Sequence, residues 1–262
     1  MPSRGVAALM RRWYGTQVNG TVEFRNLIAA QLRPEHFVLD LGCGAGRAET
    51  DFRGECAYVV GCDNGHVGEN HFISAAVRGD AYKLPFHNHS FDVVIMDFVM
   101  EHLEFPAQCA AEIFRVLRPG GSLFFRTPNF YHYVAIIAYL TPHWVHRMVI
   151  QKLAESDESD PFETYYRVNT RRTVEGVFMR ANLIPRQIKM VEKEPYYLTF
   201  AIPAFLIGCC YERLVNRFNC LAGFRSNILG YVGKPLDRQA FNQPLIINFK
   251  NDANVSVRSN RS

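Results

Sequence analysis

The stretch Phe37-Val38-Leu39-Asp40-Leu41-Gly42-Cys43-Gly44-Ala45-Gly46 leaves this chain few ways to fold. A short apolar run of strand length ends in three glycines at every second residue. A strand, such a loop and then a helix let a ligand press against bare backbone, where a Cβ would stand in its way. Asp40 places a carboxylate just before the loop. A pyrophosphate-binding loop needs its glycines at positions one, three and six. Here the sixth position is Arg47, and the third glycine comes one residue early, at Gly46. Taken alone, the pattern also fits a tight strand-to-helix turn with no ligand.

The stretches that follow narrow the reading. Residues 57–62 (AYVVGC) read as a short buried strand ending at Asp63, about 20 residues beyond the first glycine, where a carboxylate can accept both hydroxyls of a ribose. Then come Arg78-Gly79-Asp80-Ala81 and Leu84-Pro85-Phe86. Ser90 to Met96 is a further strand, opening on Asp97-Phe98-Val99-Met100-Glu101-His102-Leu103. Glu112 to Phe125 reads as a helix, a Pro119-Gly120-Gly121 turn and a fifth strand.

In this order, Val38 to Asn129 resembles the class I S-adenosylmethionine-dependent methyltransferases, in particular their small-molecule and lipid branch. The resemblance implies that Asp40, Gly42, Cys43, Gly44 and Gly46 form the loop against the amino-acid end of S-adenosylmethionine. It implies that Asp63, with Asn64 beside it, holds the ribose. Asp80 would accept from the exocyclic amine of adenine, with the Ala81 backbone beside the ring. Asp97 and Phe98 would border the adenosine or the reacting methyl. His102, one turn past the fourth strand, is the candidate catalytic base, since an imidazole titrates near neutrality. Asp97, Glu101 and His102 also have the spacing of a metal cluster, but the first acid sits one place off the pattern of quinone-type relatives, and no metal is expected.

The implied fold class is α/β: a doubly wound, mostly parallel seven-stranded sheet, with helical insertions after strand 5 and between strands 6 and 7. A helix over 21–32 leads into strands near 37–41, 57–62, 76–78, 92–96 and 122–126. Asp40, Asp63, Asp80 and Asp97 fall at successive strand ends, where ligand crevices of such sheets lie. Residues 130–168 form a cap insertion rich in aromatic residues. Thr170 caps a helix over 171–182. A sixth strand follows near Arg186 to Val191, and Leu245 to Phe249 (LIINF) is the expected seventh.

Between them lies a hydrophobic insertion, 195–243. Its segment 196–211 is too short as a helix to span the roughly 30 Å hydrocarbon core, and Pro203 is expected to break it. Its aromatic residues and flanking arginines over 196–225 suit an element in a membrane interface, a helical pair packed on the domain, or a dimer contact. The tail, 251–262, is polar and expected to be disordered.

At 262 residues, 48% hydrophobic and with a net charge of +4, the chain suits one α/β domain with insertions. Basic residues are scattered, so no nucleic-acid partner is expected. Seven cysteines without a C-x-x-C pair read as reduced cytoplasmic thiols. No run reads as a secretory signal or a transmembrane helix. The location expected is cytoplasmic, with peripheral contact to the inner membrane face through 196–225.

The function implied is methyl transfer from S-adenosylmethionine to a small-molecule, glycan or lipid-linked acceptor. The Asn/Asp-Pro-Pro-Tyr signature of amino-group methylation is absent after the fourth strand, which favours oxygen or carbon. The alternative is a non-catalytic scaffold of the same fold. A nicotinamide oxidoreductase is disfavoured by Arg47. Tyr14 is a further candidate, closing over the methionine carboxylate.

Overall fold

The computed structural model describes residues 4–15, 20–46, 48–65, 70–140, 163–193, 195 and 198–236. Seven strands form one sheet: β1 (Phe37–Leu41), β2 (Tyr58–Asp63), β3 (Ala75–Arg78), β4 (Phe91–Asp97), β5 (Leu117–Pro128), β6 (Ile184–Val191) and β7 (Asn227–Gly233). Their order is β3-β2-β1-β4-β5-β7-β6, parallel except for β7, which runs antiparallel to both neighbours. The helices are α1 (Arg4–Tyr14), α2 (Gly20–Ala29), α3 (Pro106–Val116), α4 (Tyr133–Leu140), α5 (Arg171–Arg180) and α6 (Ile202–Arg217).

The central strands are near-continuous apolar runs because both faces are covered. Alternate residues then divide between two layers. Leu39, Leu41, Val94, Met96, Leu123 and Phe125 face one layer, with Ile113 of α3 and Phe178 of α5. Val38, Val93, Ile95 and Phe124 face the other, with Phe24 and Ile28 of α2. Each such buried side chain contributes about 1.5–3 kcal/mol relative to exposure. The chain winds outward from β1 to β3, then crosses to β4. That reversal opens a crevice at the carboxyl ends of β1 and β4.

Four details differ from the sequence reading. The seventh strand is Asn227–Gly233, not 245–249, which lie outside the described residues. The segment between β6 and β7 therefore runs over 192–226. Pro203 does not break a helix; it occupies the first turn of α6, where its missing N–H is not needed. The Pro-Gly-Gly segment is the irregular start of β5, with Gly120 at φ +83° and a register shift against β4. The α2 helix stops at Ala29 rather than running to 32. The cap over α5 is as expected: the Thr170 side chain accepts from the Thr173 N–H in a capping box.

Lys234 follows β7 and is buried, its Nζ donating to the Phe114 carbonyl at 2.6 Å and the Leu117 carbonyl at 2.7 Å. It thereby caps the end of α3. Of the cap insertion, residues 141–162 lie outside the described residues, as does the tail 251–262.

Candidate cofactor and acceptor site

The loop after β1 lies at the reversal point. The Gly42 N–H donates to the Cys62 carbonyl of β2 at 2.7 Å, and the Gly46 N–H to the Cys43 carbonyl at 3.0 Å. The three glycines differ in what they face. A Cβ on Gly42 would stand 2.3 Å from Val99 Cγ2, and one on Gly46 would stand 2.2 Å from Asn70 Oδ1. Both are glycine because the protein itself approaches. At Gly44, φ +47°, a Cβ would meet nothing within 4 Å. Only this glycine opens bare backbone outward, and the cradle it leaves fits a ligand.

Asp63 bridges the loop to the turn after β2. Its Oδ2 accepts from the Gly44 N–H at 3.0 Å and its Oδ1 from the Gly65 N–H at 2.8 Å. A carboxylate offers about four acceptor positions, so this fixed geometry leaves capacity for two hydroxyls. Asn64 is exposed beside it, its carbonyl accepting from Arg78 Nε at 3.1 Å. Asp80 is exposed at the end of β3, with Oδ1 accepting from the Tyr82 N–H at 2.8 Å and Ala81 within that turn. Cys43 is buried, and burial, aided by Asp40 and Asp63, pushes its thiol up to about 12. It serves as a small apolar residue. All seven cysteines are free.

Asp97 and Phe98 end β4 as expected, but Asp97 is held differently. Its carboxylate takes both Nε and Nη2 of Arg126, at 2.6 and 2.7 Å. Arg126 is only 3% exposed, donates to Thr21 Oγ1 at 2.9 Å and lies 4.5 Å from the Phe98 ring. Phe98 adopts φ +58°, a strained setting for an aromatic residue. Such strain persists where surroundings over-determine it, commonly at ligand sites. The sequence reading missed Arg126. Its signal is a charge within an apolar strand, and strand register sets it opposite Asp97.

His102 lies in the short 3-10 turn Met100–His102 beyond β4. Its Nδ1 is 3.0 Å from the Glu163 carbonyl. In the neutral ring that contact needs the proton on Nδ1, which assigns the basic lone pair to Nε2. Glu101 is buried beside it, accepting from the Thr127 hydroxyl at 3.0 Å; Asn169 in turn donates to Thr127 at 2.8 Å. Burial pushes the Glu101 carboxyl up to about 7.

A second buried pair, His132 and Glu192, follows the ends of β5 and β6, with Nε2 and Oε2 3.5 Å apart. Burial lowers His132 to about 4 and raises Glu192 to about 7, so between those values this is a contact of neutral groups rather than an ion pair. Neither residue carries a local sequence signal. Tyr14 is held by α6, its hydroxyl donating to Glu212 at 3.1 Å. Among the described residues, no group of three or more His, Cys, Asp or Glu is placed to hold a metal ion. The groove between Lys83–His87 and the Glu112–Arg115 pair lies away from the loop, and Arg115 already bonds Glu112 and the Leu84 and Phe86 carbonyls.

Comparison with known proteins agrees with this geometry. Residues 39–125 match the family model described as a methyltransferase domain. Demethylmenaquinone methyltransferase of Streptomyces avermitilis is 36% identical over 98 residues, 36% of this chain and 42% of that protein. Ubiquinone biosynthesis O-methyltransferase of Hahella chejuensis is 35% identical over 106 residues, 37% of this chain and 44% of that protein. The chain thus spans less than half the length of these curated relatives. A SAM-dependent methyltransferase from Methanosarcina mazei, 19% identical, shares the fold with a TM-score of 0.52 over 85% of this chain and 100% of that one. Residues 39–125 thus match a methyltransferase domain, and the strand order is that of the fold shared with the SAM-dependent methyltransferase from Methanosarcina mazei.

Proposed function

We propose that this protein binds S-adenosylmethionine at the β1–β4 crevice and directs its methyl group to a small, apolar acceptor, on oxygen or carbon. The observation that carries the reading is the Asp63 carboxylate, fixed by the Gly44 and Gly65 N–H groups, Gly44 being the loop glycine whose backbone opens outward. When bound, the cofactor supplies a methyl group on a positively charged sulfur, which departs as a neutral thioether. Asp63 accepts the ribose hydroxyls, and Asp80 with the Ala81 backbone meets the adenine edge. Asp40 and the Gly42–Gly46 loop border the methionine end. Phe98, backed by the Arg126 guanidinium, walls the methyl side, while Asp97 holds Arg126 in place.

His102 takes the proton of an acceptor hydroxyl or acidic carbon at Nε2, with Nδ1 oriented by the Glu163 carbonyl. Alignment supplies most of the remaining acceleration. The two curated relatives carry quinone-pathway names, which supports an apolar ring or lipid-linked acceptor, with glycan-linked acceptors next. Residues 196–225 support peripheral contact with the cytoplasmic membrane face.

Calorimetric titration of S-adenosylhomocysteine into wild type and Asp63→Ala tests the site. Micromolar binding, about −8 kcal/mol, that weakens at least about tenfold in the variant is the expected result. A folded wild type that binds none overturns the reading and leaves the scaffold alternative.

A further inference from the structure

The two helices α1 and α6 form a lobe of their own. Val6, Phe205 and Cys209 make its core, flanked by Leu9, Met10 and Tyr14. Tyr14 donates to Glu212, Trp13 stacks on Phe205 at 6.1 Å, and the Arg213 guanidinium lies 5.1 Å from the Trp13 ring. This packing uses one face of α6: Phe205, Gly208, Cys209 and Val215 are buried. The opposite face repeats Pro203, Leu206, Ile207, Cys210 and Leu214 at helical spacing, and all five are exposed, Ile207 at 68% and Leu214 at 50%. A helix apolar on both faces is ordinarily covered on both. Phe200 before α6 and Phe218 after it are exposed as well.

The exposed charges of α6 itself, Arg213 and Arg217, have one sign, and the exposed charges of α1 share it. Arg11, Arg12, Arg213 and Arg217 are exposed on the two helices. Their only acid, Glu212, turns inward to Tyr14 and Asn216. The lobe also has a fixed place relative to the crevice. The Asn129 side chain, just beyond β5, donates to the Gly223 and Arg225 carbonyls, and Asn216 of α6 donates to the Glu192 carbonyl beyond β6. The lobe therefore sits at the carboxyl edge of the sheet, the edge that holds the glycine loop. Among the described residues no helix is long and apolar enough to cross a membrane.

We propose that the outward face of α6, with the exposed Arg213 and Arg217 of the same helix, docks flat on an anionic lipid bilayer. Aliphatic side chains enter the headgroup boundary, while arginines meet lipid phosphates. A protein partner of complementary charge would need to bring acids; this surface repels a second copy of its own rim. The inference deepens the proposed function, because a chain lying on a bilayer receives apolar acceptors from it.

The test is co-sedimentation of the full chain with vesicles of phosphatidylcholine containing phosphatidylglycerol and with phosphatidylcholine alone. The expected result is partition onto the anionic vesicles, weakened by salt. The double variant Leu206→Glu/Ile207→Glu should lose at least about tenfold, and Arg217→Gln about fivefold, the effect of about 1 kcal/mol per arginine. Both positions of the double variant are exposed, and the helical circular dichroism should be unchanged; Arg217→Gln stands as the independent variant. A folded wild type that stays in the supernatant overturns the proposal. So does equal binding by wild type and the double variant, or a dimer in light scattering that the double variant dissolves. S-adenosylhomocysteine titration on the same preparations separates the two readings: vesicle binding without cofactor binding keeps the docking surface and discards the enzyme, and the reverse discards only the surface.

Discussion

The two halves of the sheet treat their charges in opposite ways. On the β3-β2-β1 side, the Asp63 and Asp80 carboxylates accept from backbone N–H groups, Asp63 from the β1 loop and its own turn and Asp80 from its own turn. On the β4-β5-β7-β6 side, Arg126 and Asp97 hold each other, Glu101 leans on Thr127, and His132 faces Glu192, all little exposed. Carboxylates positioned by backbone alone keep acceptor capacity for a ligand. Charges paired with side chains fix strand ends to one another. The same residue type is thus left with free acceptor positions in one half and serves as a brace in the other.

The largest effect that would break this contrast concerns the brace. Arg126→Met strands the Asp97 charge and should cost about 3–5 kcal/mol in urea unfolding, whereas Arg126→Met combined with Asp97→Leu should recover most of it. A loss under about 1 kcal/mol in the single variant would place Arg126 with the ligand-facing groups instead. Next, His102→Ala should slow turnover by about 10²-fold or more with S-adenosylhomocysteine affinity unchanged; an affinity loss without a turnover loss would make His102 a structural residue. Asp63→Ala should weaken S-adenosylhomocysteine by about 1.5–3 kcal/mol while moving the unfolding midpoint less than Arg126→Met does.

The smallest effect is on pH dependence. Glu101 and Glu192 are raised from 4.5 to about 7, so the unfolded chain releases their protons first, and stability present below pH 4.5 is lost as pH rises through 7. His132 is lowered from 6.5 to about 4, so its contribution is present above pH 6.5 and lost as pH falls through 4. Two acids outweigh one imidazole, and stability should decline from about pH 4.5 to 7. Glu192→Gln should flatten that slope in thermal melts, leaving Glu101 and His132 nearly to cancel.

The β1–β3 side was legible because its signals are local. Each carboxylate follows its own strand within a few residues, and the strands are short apolar runs. Even there the loop is held from within the protein as well, since a Cβ on Gly42 or Gly46 would run into Val99 or Asn70. The far side depends on contacts between distant segments. Arg126 makes sense only once register sets it opposite Asp97. The last strand, NILGYVG, reads as weaker than LIINF because of its glycines, yet a Cβ on Gly230 would stand 2.1 Å from the Gln187 carbonyl oxygen of β6. The residue that lowers strand propensity is the one that close strand approach requires.

Lys234 caps carbonyls of α3 and the start of β5 from 117 positions beyond Leu117, and β7 covers the flank of β5 along its whole outer half. On the ribosome this sets a waiting time. At about 5–20 residues per second, β5 stands as a bare edge strand for on the order of ten seconds before its partner is made. Its Leu123-Phe124-Phe125 run is the kind of edge that other nascent chains can pair with. The growing chain would be safest under slow initiation or chaperone cover, a demand on the cell's folding machinery written into the order of the strands.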